Sequence, residues 1–104
     1  MFNSINAHGG LTVAAATARL ARLNLDDLHL YSPHRDTTGV MLRNADNVVV
    51  AQCYPADSPD HFGISFPGGD HRATWIGPAP TARLIWSPVA DHFGPDAALW
   101  EVQQ

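Results

Sequence analysis

Residues Gly39–Pro55 read GVMLRNADNVVVAQCYP, two apolar runs on either side of the polar tetrad Asn44-Ala45-Asp46-Asn47. Asn and Asp tolerate left-handed backbone and hydrogen-bond their own main chain, so the tetrad predicts a tight turn and its flanks a β-hairpin. In the second arm, Val48-Val49-Val50-Ala51 is apolar at every position instead of at alternate ones. That pattern predicts a strand covered on both faces, at the centre of a sheet. The fold class follows from placing the rest of the chain around this hairpin.

Upstream, DLHLYS alternates, with Leu28 and Leu30 on one face and His29 and Tyr31 on the other, as a half-buried strand does. Before it, LTVAAATARLARLNL predicts a helix. Ala and Leu are strong helix formers, and Val13, Ala16, Leu20 and Leu23 form a stripe at helical spacing. Gly9-Gly10 precedes it and Asn24 ends it. Ala14, Ala18 and Ala21 make a neighbouring small-residue face, expected to pack closely on the sheet. Downstream, FGISFP and RATWIG read as strands, and ARLIWS as a further one after Gly77-Pro78-Ala79-Pro80. Pro67, Pro78, Pro80 and Pro88 are then expected at strand ends, where a missing N–H does least harm. The tail GPDAALWEVQQ is read as a short helical turn, with Pro at its first position and Asp near its positive end. The sum is an α+β domain over residues 1–104: one N-terminal helix packed on a mostly antiparallel sheet of five or six strands.

Composition narrows the function classes. The 104 residues are 45% hydrophobic and 15% charged, with net charge -4, which suits a globular chain. Six arginines stand against ten acidic residues, and lysine is absent. This balance argues against nucleic acid as the partner, because phosphates need a basic patch. The single cysteine, Cys53, permits neither an intrachain disulfide nor a cysteine-based zinc cage. The first residues lack the basic region of a signal peptide, and Arg19 and Arg22 interrupt the apolar stretch that follows, so neither a leader nor a membrane span is expected. The expected setting is the cytosol.

The tetrapeptide Asp-His-Phe-Gly occurs twice, at Asp60–Gly63 and Asp91–Gly94, each shortly after a Ser-Pro. A carboxylate beside a histidine can fix its tautomer and raise its basicity, which makes Asp60, His61, Asp91 and His92 the candidate catalytic residues. Asp at the first position and Gly at the fourth is also the pattern of a type I turn, and that is the preferred reading of both copies. His34-Arg35-Asp36 has the His-x-Asp spacing of a facial triad, with His71 or His92 as distal ligand. It resembles the iron/2-oxoglutarate oxygenases in three letters only, so His34, Asp36 and His71 are the metal candidates and no cofactor is implied. FPGGDHRATW resembles the opening of a Nudix motif, without the glutamates that motif requires. GISFPG misses the nucleophile-elbow spacing by one residue, and Ser65 or Ser32 has nothing to position it. Cys53, at a strand end, is read as a small buried hydrophobe.

The stretch from His61 to Trp100 holds six of the nine aromatics and three of the six histidines. Trp75, Trp86, Trp100 and Phe93 are therefore the candidate binding residues, since exposed aromatics anchor interfaces. Trp75 and Trp86 are expected on strands joined by one turn. With no complete catalytic motif, the favoured expectation is a small cytosolic accessory domain that binds another protein, of the kind carried by phages, plasmids or other mobile elements of GC-rich bacteria. The alternatives are a His/Asp-dependent hydrolase or metal enzyme, and a homo-oligomer, such as a homodimer, assembled through the alanine face or a sheet edge.

Overall fold

The computed structural model describes residues 10–34, 39–67 and 73–99, with the side chains of residues 33 and 34 excepted. Its elements run helix α1 (Val13–Ala21), strands β1 (His29–His34), β2 (Gly39–Arg43), β3 (Val49–Pro55), β4 (His61–Phe66) and β5 (Ala73–Pro78), then helix α2 (Ala79–Phe93). Short 3₁₀ turns follow α1 at Leu25–Asp27 and α2 at Pro95–Ala97. The strands form one sheet in chain order, β1-β2-β3-β4-β5, and every neighbouring pair is antiparallel. The architecture is α+β, with β3 at the centre, where the all-apolar Val run places it. The run does not have both faces covered, however: among the described residues the helices cover one face of the sheet only, Val49 and Val50 are half-buried, and Val48 precedes the strand and is 47% exposed.

The hairpin forms for the reason its turn residues imply. The Asn44 side-chain oxygen accepts from the backbone N–H of Asp46 (2.9 Å) and of Val48 (3.0 Å). Asn47 takes the left-handed conformation with φ 65°, a region Asn enters more readily than most residues. At the start of α1, Thr12 is the N-cap and its hydroxyl accepts from Ala15 N–H at 3.0 Å, satisfying a donor that has no partner within the helix.

One face of the sheet carries the core. Val40, Cys53, Ile64 and Trp75 are mutual partners across β2 to β5, and all four are buried. Ala16 and Leu20 of α1 and Ala82, Ile85, Trp86 and Val89 of α2 close over them in one cluster. Both helices thus lie on the same side of the sheet. The chain before α1 also touches the sheet: Gly10 bridges Thr74 in parallel, and Leu11 N–H donates to the Thr74 carbonyl at 2.8 Å, covering part of the β5 edge.

Several expectations need correction. ARLIWS is not a strand; it lies inside α2. Ala82, Ile85, Trp86, Val89 and Phe93 recur at 3.6-residue spacing, and this stripe outweighs the β-prone letters Ile and Trp. The prolines fit a helix as well. Pro78 is the N-cap and Pro80 lies in the first turn, where the missing N–H costs nothing. Pro88 sits inside the helix. It deprives the Leu84 carbonyl of its usual donor, and the Ser87 hydroxyl donates to that carbonyl instead, at 3.0 Å. The small-residue face of α1 does not pack on the sheet: Ala14, Ala18 and Ala21 are exposed.

The two Asp-His-Phe-Gly copies also depart from the turn template, and from each other. In the first, the turn is Ser58-Pro59-Asp60-His61, closed by His61 N–H on the Ser58 carbonyl at 3.2 Å. Pro59 takes its second place and Asp60, with φ 58°, its third. His61, Phe62 and Gly63 already belong to β4. In the second copy, Asp91, His92 and Phe93 are the last residues of α2, and Gly94 at φ 88° ends the helix. Identical letters follow a strand in one place and a helix in the other, because the flanking periodicity differs.

Candidate binding face

The sheet face opposite the helices is built by the alternate positions of each strand. Tyr31, Met41, Gln52, Ser65 and Thr74 stand in one row across all five strands. Tyr54, Gly63 and Ile76 form the next row. Among the described residues no helix or strand lies over these rows, and Ile76 and Tyr31 keep 59% and 42% of their surface exposed.

Local packing shapes this face. The Tyr54 ring lies over Gly63, where a Cβ would come within 2.5 Å of the ring carbon Cζ. A side chain at position 63 would require the Tyr54 ring to move, so glycine here serves close approach, not backbone freedom. Burial raises the Tyr54 hydroxyl above its usual pKa, while a hydrogen bond from the Thr74 side chain acts in the opposite direction. Gln52, Tyr54, Ser65 and Thr74 line a depression of about 400 Å³ at the β4–β5 side. At the β1–β2 side, the Arg43 guanidinium stacks over the Tyr31 ring at 3.8 Å from its centroid, a cation–π contact. Arg43 Nη1 donates to the Asn47 side-chain oxygen at 3.2 Å, whereas its buried Nε has no hydrogen-bond partner.

Charge is distributed unevenly. The described strand positions on this face include His29, Tyr31, Met41, Arg43, Gln52, Tyr54, His61, Gly63, Ser65, Thr74, Ile76 and Pro78. None is Asp or Glu, although the chain holds ten such residues. Arg43 is the one formal charge among them. Tyr, Met and Arg are the residues enriched at interface cores, and Asp, Glu and Lys those depleted there.

The residues singled out from sequence fall elsewhere. Trp75 and Trp86 are 6% and 0% exposed, so their rings fill the core and cannot reach a partner. They are not cross-strand neighbours, because Trp86 is on α2, where its indole N–H donates to the Ala97 carbonyl at 2.9 Å. Phe93 is half-buried against the same core. Trp100, Asp36 and His71 lie outside the described residues, as does the side chain of His34.

His61 and His92 do not share a cleft. His61 borders a depression of about 520 Å³ beside the β3–β4 loop, with Asp57, Asp60 and Arg83 around it. Its Nδ1–H faces the Pro59 carbonyl at 3.0 Å, not a carboxylate. Asp60 lies against the start of α2, since Ala79 N–H donates to its carbonyl at 2.8 Å. His92 sits thirteen residues further along that helix, roughly 20 Å away at 1.5 Å per residue. There its Nε2 is 3.6 Å from Asp26 Oδ1, and its ring meets Phe93 edge-on. Asp91 is exposed. Among the described residues, no three His, Cys, Asp or Glu side chains are grouped to hold a metal ion. Cys53 is fully buried, and burial pushes its thiol far above the ordinary range, so it does not supply a thiolate. No described helix is long and apolar enough to cross a membrane.

Comparison with protein-family models, with characterised proteins and with solved structures returns no match for this chain.

Proposed function

We propose that this chain is a protein-binding accessory module whose working surface is the open sheet face, acting in the cytosol. One observation carries the reading: Tyr31, Met41, Arg43, Tyr54 and Ile76 stand on a sheet face whose described strand positions include no acidic residue, in a chain of net charge -4. Acidic residues occupy other parts of the chain, which leaves this one surface suited to close, desolvating contact. Neutral hydrogen-bonding groups, Gln52, Ser65 and Thr74, stand on it between aromatic and aliphatic ones. That composition fits an exposed segment of another protein better than a small substrate, which is usually held in a deep concave site.

The test uses two exposed aliphatic residues on opposite sides of the molecule. Ile76 is on the open face, and Leu84, 74% exposed, is on the outer surface of α2. Affinity capture from the source organism is expected to recover the same partner with the wild-type chain and with Leu84→Arg, and to lose it with Ile76→Arg. Equal recovery by all three chains would remove the face from consideration.

A further inference from the structure

The open face carries a constraint on what can cover it. Among its described strand positions Arg43 carries the one formal charge, and no described carboxylate pairs with it. Its guanidinium is held in place by the Tyr31 ring and the Asn47 side chain, and its Nε lacks a hydrogen-bond partner. While the face is open, water solvates the rest of the group. A partner that covers the face removes that water, and an uncompensated buried charge is strongly unfavourable. The partner must therefore bring an anion to Arg43. The planar fork of a guanidinium matches a carboxylate with two parallel hydrogen bonds.

We infer that the protein partner docks a segment whose Asp or Glu carboxylate pairs with Arg43, flanked by uncharged side chains that lie along the row from Met41 to Thr74. The inference rests on the reading of this face as a protein-binding surface. Charge complementarity selects this occupant over two others. The described strand positions of the same face offer no carboxylate, so symmetric pairing of these positions in two copies of the chain would bury two guanidinium groups without counterions. Single-stranded nucleic acid would supply phosphates, but it needs a row of cations along the backbone, and the described strand positions of this face hold one.

The experiment is a random-peptide display library panned on the full-length chain, with depletion on Ile76→Arg so that only face-dependent binders remain. The expected result is a family of peptides sharing one Asp or Glu among uncharged residues. Their affinity falls at least about tenfold for Arg43→Gln and is kept by Asn47→Gly, which removes the Nη1 contact but leaves the charge. Asn47→Gly also separates loss of the charge from damage to the hairpin turn. Four results overturn the inference while leaving the face as a docking surface: face-dependent peptides without an acidic residue, unchanged affinity for Arg43→Gln, tighter binding of an oligothymidylate than of any peptide, or a sedimenting dimer that Ile76→Arg dissociates. Recovery of no face-dependent peptide overturns the docking surface and the inference together.

Discussion

Gly63 is a position where the open face constrains its own packing. It pairs with Tyr54 across β3 and β4, and the ring occupies the space a side chain would need. Gly63→Ala is expected to cost about 1–2 kcal/mol through overpacking, despite a better strand propensity. In a double-mutant cycle with Tyr54→Ala, urea unfolding should show that the penalty largely disappears once the ring is gone. Additive effects would mean that the ring does not set the requirement. Cys53 illustrates the opposite kind of position. Its environment, between Val40 and Ile64 in the core row, makes it a packing residue, as a strand-end cysteine in an apolar run suggests.

Among the elements, α2 carries the largest departure from the strand-rich expectation. Its apolar stripe is readable as helical, yet three prolines within eleven residues suggest strand ends. Two of them stand at the start of the helix, where proline is favoured. The third, Pro88, is tolerated because Ser87 takes over the Leu84 carbonyl and because residue 88 itself is exposed. Pro88→Ala restores a donor and removes a ring clash, so it is expected to stabilise the protein by about 1–3 kcal/mol, measured as a higher urea midpoint at unchanged slope. A lower midpoint would show that the ring contributes contacts that outweigh the helix cost. The β2–β3 hairpin, by contrast, was legible in full, because every feature that sets it is local: Asn44 bonds its own turn, and Asn47 accepts the left-handed conformation there.

At the scale of the whole molecule, the two layers have different duties. The helix-covered face holds Trp75, Trp86 and Phe93, three of the four aromatic residues that sequence offered as a binding surface, and these stabilise the fold. Trp86→Phe removes the bond to the Ala97 carbonyl and leaves a small void. It is expected to lower stability by roughly 2–3 kcal/mol, seen as an earlier urea transition. A change below about 0.5 kcal/mol would show that the indole N–H is not needed to hold the turn after α2. Ile76→Arg, on the uncovered face, is expected to change binding and not the unfolding midpoint, which separates the two layers in one pair of measurements.

Strand alternation, the central position of the valine run, the N-terminal helix and the Asn-bounded hairpin all follow from local propensity and period, which act over a few residues. Sequence alone could therefore establish an α+β fold around an antiparallel sheet. It could not say on which side of that sheet the tryptophans would lie, or that His61 and His92 would end at opposite ends of α2. Nor could it show that Tyr31, Met41, Gln52, Ser65 and Thr74, spread over 44 residues, would line up in one row free of carboxylates. Those facts depend on register and on which face the helices cover. Both are set by long-range packing, in which a shift of one residue exchanges the two faces of a strand.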